Sequence, residues 1–299
     1  MVRLAAPVER AGGGTLAPGG KGIINTAVLN PIVDAFRQYR FTDPETGLIL
    51  DYNLYVPADY VASNRYPLVL FMHDAGVTGS NPRRTLQQGL GAISFASERD
   101  QAAHPSLVLA PQFPVPLVND EAQRSVYVDM IPRLLDKVAR DFSVDRGRIY
   151  ATGQSGGCMT SIALAISDPE LLAAVLCVAG QWDPAVVAPL AATPFWAIVS
   201  EDDAKAFPGM TAIMKVLEDN GAQVTRGSLD AKASPEAMDK AVQDILEKRT
   251  GGATFFTPFV AGSVLPEGGD AGPGAGHVNT WVHAYSIPAV RDWLFTHNR

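Results

Sequence analysis

Short apolar runs alternate along the chain with longer stretches in which apolar residues recur every three or four positions. The short runs are typical of strands buried on both faces, and the periodic stretches are typical of amphipathic helices. Because the two patterns alternate, we expect an α/β fold with a mostly parallel central sheet and helices on both faces. The predicted strands of this sheet are residues 68–72, 107–110, 148–152, 173–178 and 195–199.

The helical pattern is clearest over residues 126–142, and it recurs over 156–166 and 211–220. A further helix is expected over residues 234–249, where Ser234 is a good cap and the last turn is basic. Two leading strands are predicted near residues 51–57 and 64–71, the first of them antiparallel, and a late strand is predicted in the segment TFFTPFV.

One segment carries chemistry of its own, IYATGQSGGCMT at residues 149–160. An apolar strand runs into Gly153, Gln154, Ser155, Gly156 and Gly157 and then into a helix, which is the pattern of a nucleophile elbow. A serine hydroxyl is a weak nucleophile, and such a turn exposes Oγ to a base. The alternative is a glycine-rich helix start with a capping serine, and the strand and helix patterns on either side favour the elbow.

Composition limits the class of protein. The chain has 299 residues, of which 47% are hydrophobic, so we expect one α/β domain over residues 23–299. The Gly/Pro/Ala-rich residues 1–22 are expected to form a flexible arm. A net charge of −7 without a basic cluster argues against nucleic-acid binding. No apolar stretch is long enough for membrane insertion, and no Cys/His spacing suggests a metal site.

Localisation is open between a secreted or periplasmic protein whose signal peptide is missing from this chain and a cytoplasmic one. The oligomeric state is also open. The two cysteines, Cys158 and Cys177, lie in apolar stretches, and we expect buried free thiols rather than a disulfide.

An acyl-transfer serine needs a base, a carboxylate that orients the base, and N–H donors for the oxyanion. In this type of fold the order along the chain is serine, acid, histidine. After Ser155, the segment GPGAGHVNTW places His277 on a predicted loop, and we expect His277 to be the base. His283 is expected to be structural within a helix, and His297 lies in the terminal tail.

The predicted strand at 195–199 ends in the acidic run Glu201, Asp202 and Asp203. Carboxylates at this point lie at the carboxyl edge of the sheet, where ligands bind in such folds. Asp203 is favoured as the acid, with Asp202 as the alternative. The oxyanion donors are expected to be the N–H groups of Gly156 and Ala75, and His73, just before Ala75, is expected to be structural.

The set YNLYVPADY, YPLVLFMHDAG, LAPQFP, VDRGRIYATGQSGG, SEDD and GHVNTW resembles the predicted-peptidase branch of serine carboxylesterases, which is similar to polyhydroxybutyrate-depolymerase-like and feruloyl-esterase-like α/β hydrolases. The resemblance covers about residues 45–297. It implies an α/β-hydrolase fold with Ser155 as nucleophile, Asp203 as acid and His277 as base, with Ala75 and Gly156 as oxyanion donors. No cofactor is implied.

The chain departs from this family at Asp74, where the usual motif is His-Gly-x-Gly. We expect the Asp74 carboxylate to turn outward, since a carboxylate aimed inward would oppose the oxyanion. Residues 231–276 are a candidate rim of the site. Side chains expected to contact substrate follow the predicted strand ends, namely Gln112, Phe113, Gln181, Trp182 and Trp281.

The sequence thus predicts a serine carboxylic ester hydrolase that acts on a small-molecule ester through an acyl-enzyme. A peptidase of the prolyl-oligopeptidase type is an alternative that uses the same triad, normally with a large gating domain that is not seen in this chain. A hydrolase-like binding protein with a degraded site is an alternative from another class, and Asp74 is the residue that suggests it.

Overall fold

The computed structural model of the protein describes residues 31–249, 251–267, 272 and 274–299. The predicted arm at residues 1–22 and part of the candidate rim lie outside these residues. Nine strands in the described part form one sheet in the order β1-β2-β4-β3-β5-β6-β7-β9-β8. Their bounds are β1 Arg37–Thr42, β2 Ile49–Tyr55, β3 Tyr66–Met72, β4 Leu107–Gln112, β5 Val144–Gln154, β6 Ala174–Val178, β7 Phe195–Ile198, β8 Val224–Arg226 and β9 Thr254–Phe256.

The sheet is parallel from β4 through β8, and antiparallel pairing is confined to β1 with β2 and β2 with β4. The predicted mostly parallel sheet with an antiparallel leading strand is therefore confirmed. The central strands are apolar at nearly every position because helices cover both faces, so neither face of these strands meets water.

Helices flank the sheet on both sides. Their bounds are α1 Arg83–Gln87, α2 Gly91–Phe95, α3 Glu98–Ala103, α4 Val126–Asp141, α5 Gly156–Ser167, α6 Ala206–Asp219, α7 Pro235–Glu247, α8 Ala275–Ser286 and α9 Pro288–Leu294. Two short 3₁₀ helices span Ala75–Val77 and Ala188–Ala192. The four predicted helices are present as α4, α5, α6 and α7, and Ser234 caps α7 by accepting from the Ala237 N–H.

The sheet separates two buried apolar clusters. One cluster lies under α4, α5 and α6, and the other lies under α2, α7, α8 and α9. Parallel strands bring their carboxyl ends to one edge, so the segments after β3, β4, β5, β7 and β9 meet there. These segments carry most of the residues that the sequence marks for chemistry.

Three further structural facts concern the described residues. Cys158 and Cys177 are buried free thiols, as expected, with Cys177 Sγ 3.6 Å from the Cys158 carbonyl oxygen. Within the described ranges no helix is long and apolar enough to cross a bilayer. In the same part of the chain, no cluster of three His, Cys, Asp or Glu side chains is arranged to hold a metal ion.

Candidate active site

Ser155 is the single residue that links β5 to α5, and its backbone conformation is one that few non-glycine residues adopt. Its φ is 52° and its ψ is −120°. The neighbouring glycines permit this turn, because a Cβ on Gly153 would lie 2.5 Å from the Gly157 carbonyl carbon and one on Gly157 would lie 1.9 Å from the Met72 oxygen. The turn is therefore the tight strand-to-helix elbow that the motif predicts, with Ser155 at its apex.

Ala75 and Gly156 bring two backbone N–H groups together beside this elbow. Ala75 begins the 3₁₀ helix after β3 and Gly156 begins α5, and the first N–H groups of a helix have no acceptor within it. A Cβ on Gly156 would lie 3.5 Å from the Ala75 nitrogen, which places the two residues in near contact. The arrangement suits a developing negative charge on an oxygen placed between them.

Asp74 does not turn outward, and the expectation from the sequence is wrong at this position. Its side chain is only 7% exposed and caps the 3₁₀ helix by accepting from the Gly76 N–H. This local hydrogen bond folds the Asp74 carboxylate back over its own turn, because an Asp side chain can accept from a backbone N–H two residues further along the chain. Burial raises the pKa of Asp74, although the Gly76 N–H, the Gln88 side chain and the charge of nearby His277 act in the opposite direction.

His73 is engaged by the backbone on both sides of its ring. Nδ1 lies 2.6 Å from the Asp74 carbonyl oxygen, and Nε2 accepts from the Phe113 N–H at 3.0 Å. Nε2 therefore carries no proton, and Nδ1–H donates to Asp74. Burial lowers the pKa of His73 and outweighs the Asp74 contacts that raise it. This placement fits the expected structural role, because the ring ties the segment after β3 to the segment after β4.

Asp203 and His277 are in direct contact across the carboxyl edge of the sheet. Asp203 Oδ2 lies 2.5 Å from His277 Nδ1, and Oδ1 accepts from the N–H groups of Lys205 at 3.1 Å and Ala206 at 2.9 Å. The Asp203 side chain is 5% exposed. Burial raises the pKa of Asp203, but the hydrogen bonds from His277 and the two backbone groups lower it by a larger amount, so the net shift is downward. Asp203 is thus held as a carboxylate.

The two neighbouring acids are turned toward another part of the chain. Asp202 Oδ2 accepts from the Gly262 N–H at 2.7 Å, and Glu201 Oε2 accepts from the Ala261 N–H at 2.9 Å. Both side chains hold the segment that follows β9. Of the three acids in the run, it is Asp203 that reaches the histidine.

His277 lies in the first turn of α8, so the prediction that it sits on a loop is wrong. The glycine-rich run before it does not show a helical pattern in the sequence. The helix begins after Gly274, whose own φ of 85° is left-handed. Trp281 lies one turn further along α8, with its ring centroid 5.6 Å from that of His277 and nearly perpendicular to it. The helix start and this aromatic contact fix the direction of the imidazole. His283, on the same helix, is half-buried, and burial lowers its pKa.

A cavity of about 30 Å³ adjoins the two N–H donors. Ala75 and Gly156 form one side, and the segment after β4 forms another with Phe113, Val115 and Leu117. The remaining lining residues that the structure describes are His73, Asp74, Thr78, Pro116, Val118 and Thr160. Of the predicted contact residues, Phe113 lines this cavity. Residues 115–118 were missed, and the only signal for them is the run VPLV after the predicted strand at 107–110.

The other predicted contact residues are engaged within the protein. Gln112 is buried, accepts from Thr85 Oγ1 at 2.7 Å and donates to the Val77 oxygen at 2.8 Å. The indole N–H of Trp182, another buried residue, donates to the Asn119 oxygen at 2.8 Å. Their placement does not support substrate contact. Both support the loops that surround the elbow, which is the packing role that a side chain under a loop often has.

Asp120 fastens the segment after β4 to the rest of the site. Its two carboxylate oxygens accept from Gln181 Nε2 at 3.2 Å and from Lys205 Nζ at 2.7 Å. Lys205 lies two residues after Asp203, and Gln181 lies just after β6. Residues 113–124 are thereby tied to two other loops of the same edge.

Comparison with solved structures gives the fold. A thermostable esterase matches with a TM-score of 0.73 and 26% identity, over 90% of this chain and 64% of that one. A feruloyl esterase module from Clostridium thermocellum, complexed with sinapinate, matches with a TM-score of 0.56 and 14% identity, over 95% of each chain. A ferulic acid esterase from Anaeromyces mucronatus, in complex with ferulic acid, matches with a TM-score of 0.52 and 13% identity, over 85% of this chain and 90% of that one.

No family model matches the sequence, and no curated protein matches it. This chain spans 64% of the length of the thermostable esterase. The structures share a mostly parallel sheet covered by helices, and the chain has the α/β-hydrolase fold. The predicted resemblance to esterases of this fold is confirmed.

Proposed function

We propose that this α/β-hydrolase chain is a serine carboxylic ester hydrolase that acts through an acyl-enzyme. Ser155 is the nucleophile, His277 is the general base and Asp203 orients His277. The N–H groups of Ala75 and Gly156 stabilise the oxyanion. The observation that carries the proposal is the 2.5 Å contact between Asp203 Oδ2 and His277 Nδ1, at the sheet edge where Ser155 forms the elbow.

The contact between Asp203 and His277 determines which nitrogen is available for catalysis. With Nδ1–H donating to the Asp203 carboxylate, the neutral imidazole carries its lone pair on Nε2. Nε2 takes the Ser155 proton as Oγ attacks the ester carbonyl carbon. The imidazolium that forms is stabilised by Asp203, which stays ionised because its pKa is lowered.

The tetrahedral intermediate places its negative oxygen between the Ala75 and Gly156 N–H groups. Each such donor contributes about 3 kcal/mol to transition-state stabilisation. Collapse of the intermediate breaks the bond to the alcohol oxygen, which leaves with the proton from His277 Nε2. Water then attacks the acyl-serine ester and gives its proton to His277. The bond between the acyl carbon and Ser155 Oγ breaks, and Oγ takes that proton from His277, which frees the carboxylic acid and regenerates Ser155 and the neutral base.

A fluorophosphonate probe tests this proposal without knowledge of the substrate. We expect covalent labelling of the folded protein at one site, which peptide mapping assigns to Ser155. Labelling is lost in Ser155→Ala and retained in Ser286→Ala, a matched control because Ser286 is exposed at the end of α8. Labelling elsewhere, or equal labelling of Ser155→Ala, contradicts the proposal and favours a binding protein with a degraded site.

A further inference from the structure

The cavity beside Ala75 and Gly156 lies where one half of an ester would have to go. These two residues carry the proposed donors for the carbonyl oxygen, so a group in the cavity is attached directly to the carbonyl carbon or lies next to it. Among the described residues that line it, Thr160 of α5 is one and His277 is not. The cavity therefore lies on the oxyanion side of the elbow.

The direction of proton transfer assigns the two halves of the ester. The alcohol oxygen takes its proton from His277, so the alcohol must leave past the imidazole. The acyl group is then on the other side of the carbonyl carbon, toward the surface that His277 does not line. The cavity is accordingly on the acyl side.

The cavity is small for an acyl chain. Its volume is about 30 Å³, while one water needs about 10–15 Å³ measured in the same way. A chain of one or two carbons beyond the carbonyl fills such a space. The wall of the cavity is supported by the core, because Leu117 is only 8% exposed and packs into the apolar cluster under α4, α5 and α6. At the other end of the same segment, Asp120 accepts solvent-exposed hydrogen bonds from Gln181 and Lys205.

The residues that line the cavity also give it a negative charge. Asp74 lines it and is buried there, whereas no Lys or Arg appears among its lining residues in the described part of the chain. His73 also lines it, and burial lowers the pKa of that ring so that it offers no positive charge at neutral pH. A carboxylate on the acyl chain would be desolvated beside Asp74 without a cation to balance it.

We propose that this cavity is the acyl subsite and that it admits short, uncharged acyl groups such as acetyl and propionyl. This inference rests on the proposed esterase function. The wall formed by Val115 and Leu117 sets the length of the chain, and Asp74 excludes a second negative charge.

The length limit is tested with p-nitrophenyl esters from acetate to octanoate. We expect kcat/KM to fall by at least about tenfold between propionate and hexanoate, because the extra methylenes do not fit the cavity, and the misfit of a methylene discriminates by this order. Leu117→Ala raises the ratio of hexanoate to acetate hydrolysis. Val115→Ala does the same, and because Val115 is 40% exposed this variant does not endanger the fold. Val61→Ala is the matched control, a 50% exposed valine away from the cavity, and leaves the ratio unchanged.

The charge limit is tested with the p-nitrophenyl half-ester of malonate, whose carboxylate carbon is the second beyond the ester carbonyl, against p-nitrophenyl isovalerate, an uncharged group of the same shape. The wild-type protein is expected to favour isovalerate. Asp74→Asn keeps an acceptor oxygen for the Gly76 N–H and removes the charge, so it raises the ratio of malonate to isovalerate by at least about tenfold. An unchanged ratio overturns the role given to Asp74.

The outcomes separate this inference from the function on which it rests. Equal hydrolysis of octanoate and acetate that is lost in Ser155→Ala overturns the acyl subsite and leaves the esterase function standing. An absence of Ser155-dependent hydrolysis for every ester, together with no fluorophosphonate labelling, overturns both. A preference for short chains that neither Leu117→Ala nor Val115→Ala relaxes also overturns the assignment of this cavity.

Discussion

Asp203 and His277 are 74 residues apart in the chain, and their side chains meet with Oδ2 2.5 Å from Nδ1. Asp202, one residue earlier, is turned to Gly262 instead. Adjacent residues in this acidic run therefore face different partners.

Substitution of these two acids separates their roles. Asp203→Asn is expected to lower kcat by about 10³ to 10⁴, because the amide stabilises neither the imidazolium nor the tautomer with a free Nε2. Asp202→Asn is the matched control and changes kcat little. Steady-state kinetics on p-nitrophenyl acetate measure both variants. A larger loss in Asp202→Asn than in Asp203→Asn would move the acid to position 202.

Loss of the nucleophile is expected to abolish turnover and spare the fold. Ser155→Ala lowers kcat by at least about 10³, because only the oxyanion donors and binding remain. Circular dichroism and the midpoint of urea unfolding should match the wild-type protein or exceed it. Wild-type rates in this variant would show that another group attacks the ester.

We expect kcat/KM to rise with pH along a single limb, because a general base accepts a proton only in its neutral form. Protonated His277 has no lone pair on Nε2, so activity is absent at low pH and appears as the proton is lost. Asp203 does not contribute to this limb, because its lowered pKa keeps it ionised throughout. Burial lowers the pKa of both His73 and His283, so we expect either ring to lose its proton at a lower pH than an ordinary histidine does.

Variants identify the source of that limb. His277→Ala should remove both the rise and the activity, measured from pH 4 to 9 with corrected p-nitrophenol absorbance. His283→Ala should keep the profile, because His283 contacts the Phe259 ring and not Asp203. Retention of the rising limb in His277→Ala would contradict the proposed base.

Stability is expected to depend on pH through an ion pair remote from the site. Asp43, fully buried, accepts from Arg133 Nε at 2.5 Å and Nη2 at 2.8 Å, and the Arg133 hydrogen bond is the main reason that its pKa falls from 3.8 to about 2. Because the pKa of Asp43 is lower in the folded protein, its carboxylate stabilises the fold at pH values above the ordinary carboxyl pKa of 3.8. This stabilisation is lost as the pH falls toward about 2.

Asp43→Asn should accordingly lower the free energy of unfolding by roughly 1–3 kcal/mol at pH 7. The difference from the wild-type protein should shrink as urea unfolding is repeated toward pH 2. Asp51→Asn is the control, since its pair with Arg40 is solvent-exposed and contributes less than about 1 kcal/mol. A deficit in Asp43→Asn that is independent of pH would exclude this linkage.

The sequence predicted the features that depend on local pattern. The elbow is encoded by two glycines without space for a Cβ and by the change from strand to helix around them. The carboxyl-edge positions of Ala75 and Asp203 follow from parallel strands alone. The short helices α1, α2 and α3 were missed, because five or six residues are too few to show a helical period.

The errors arose where tertiary contacts decide the conformation. His277 follows a glycine-rich run whose pattern is typical of a loop. A helix, α8, forms there because its buried face packs into the apolar cluster that also lies under α2, α7 and α9. The direction of Asp74 depends on one bond to Gly76, and the choice between Asp202 and Asp203 depends on partners at residues 262 and 277. No spacing along the chain reports such choices.

The φ of 52° at Ser155 has an evolutionary consequence. Holding a side chain in this region costs about 1–3 kcal/mol, which a glycine there would largely avoid. Loss of the serine by drift would therefore leave a folded chain that is as stable as before or more so. Folding exerts no pressure to keep the hydroxyl at this position, and its retention must be maintained by selection for the reaction itself.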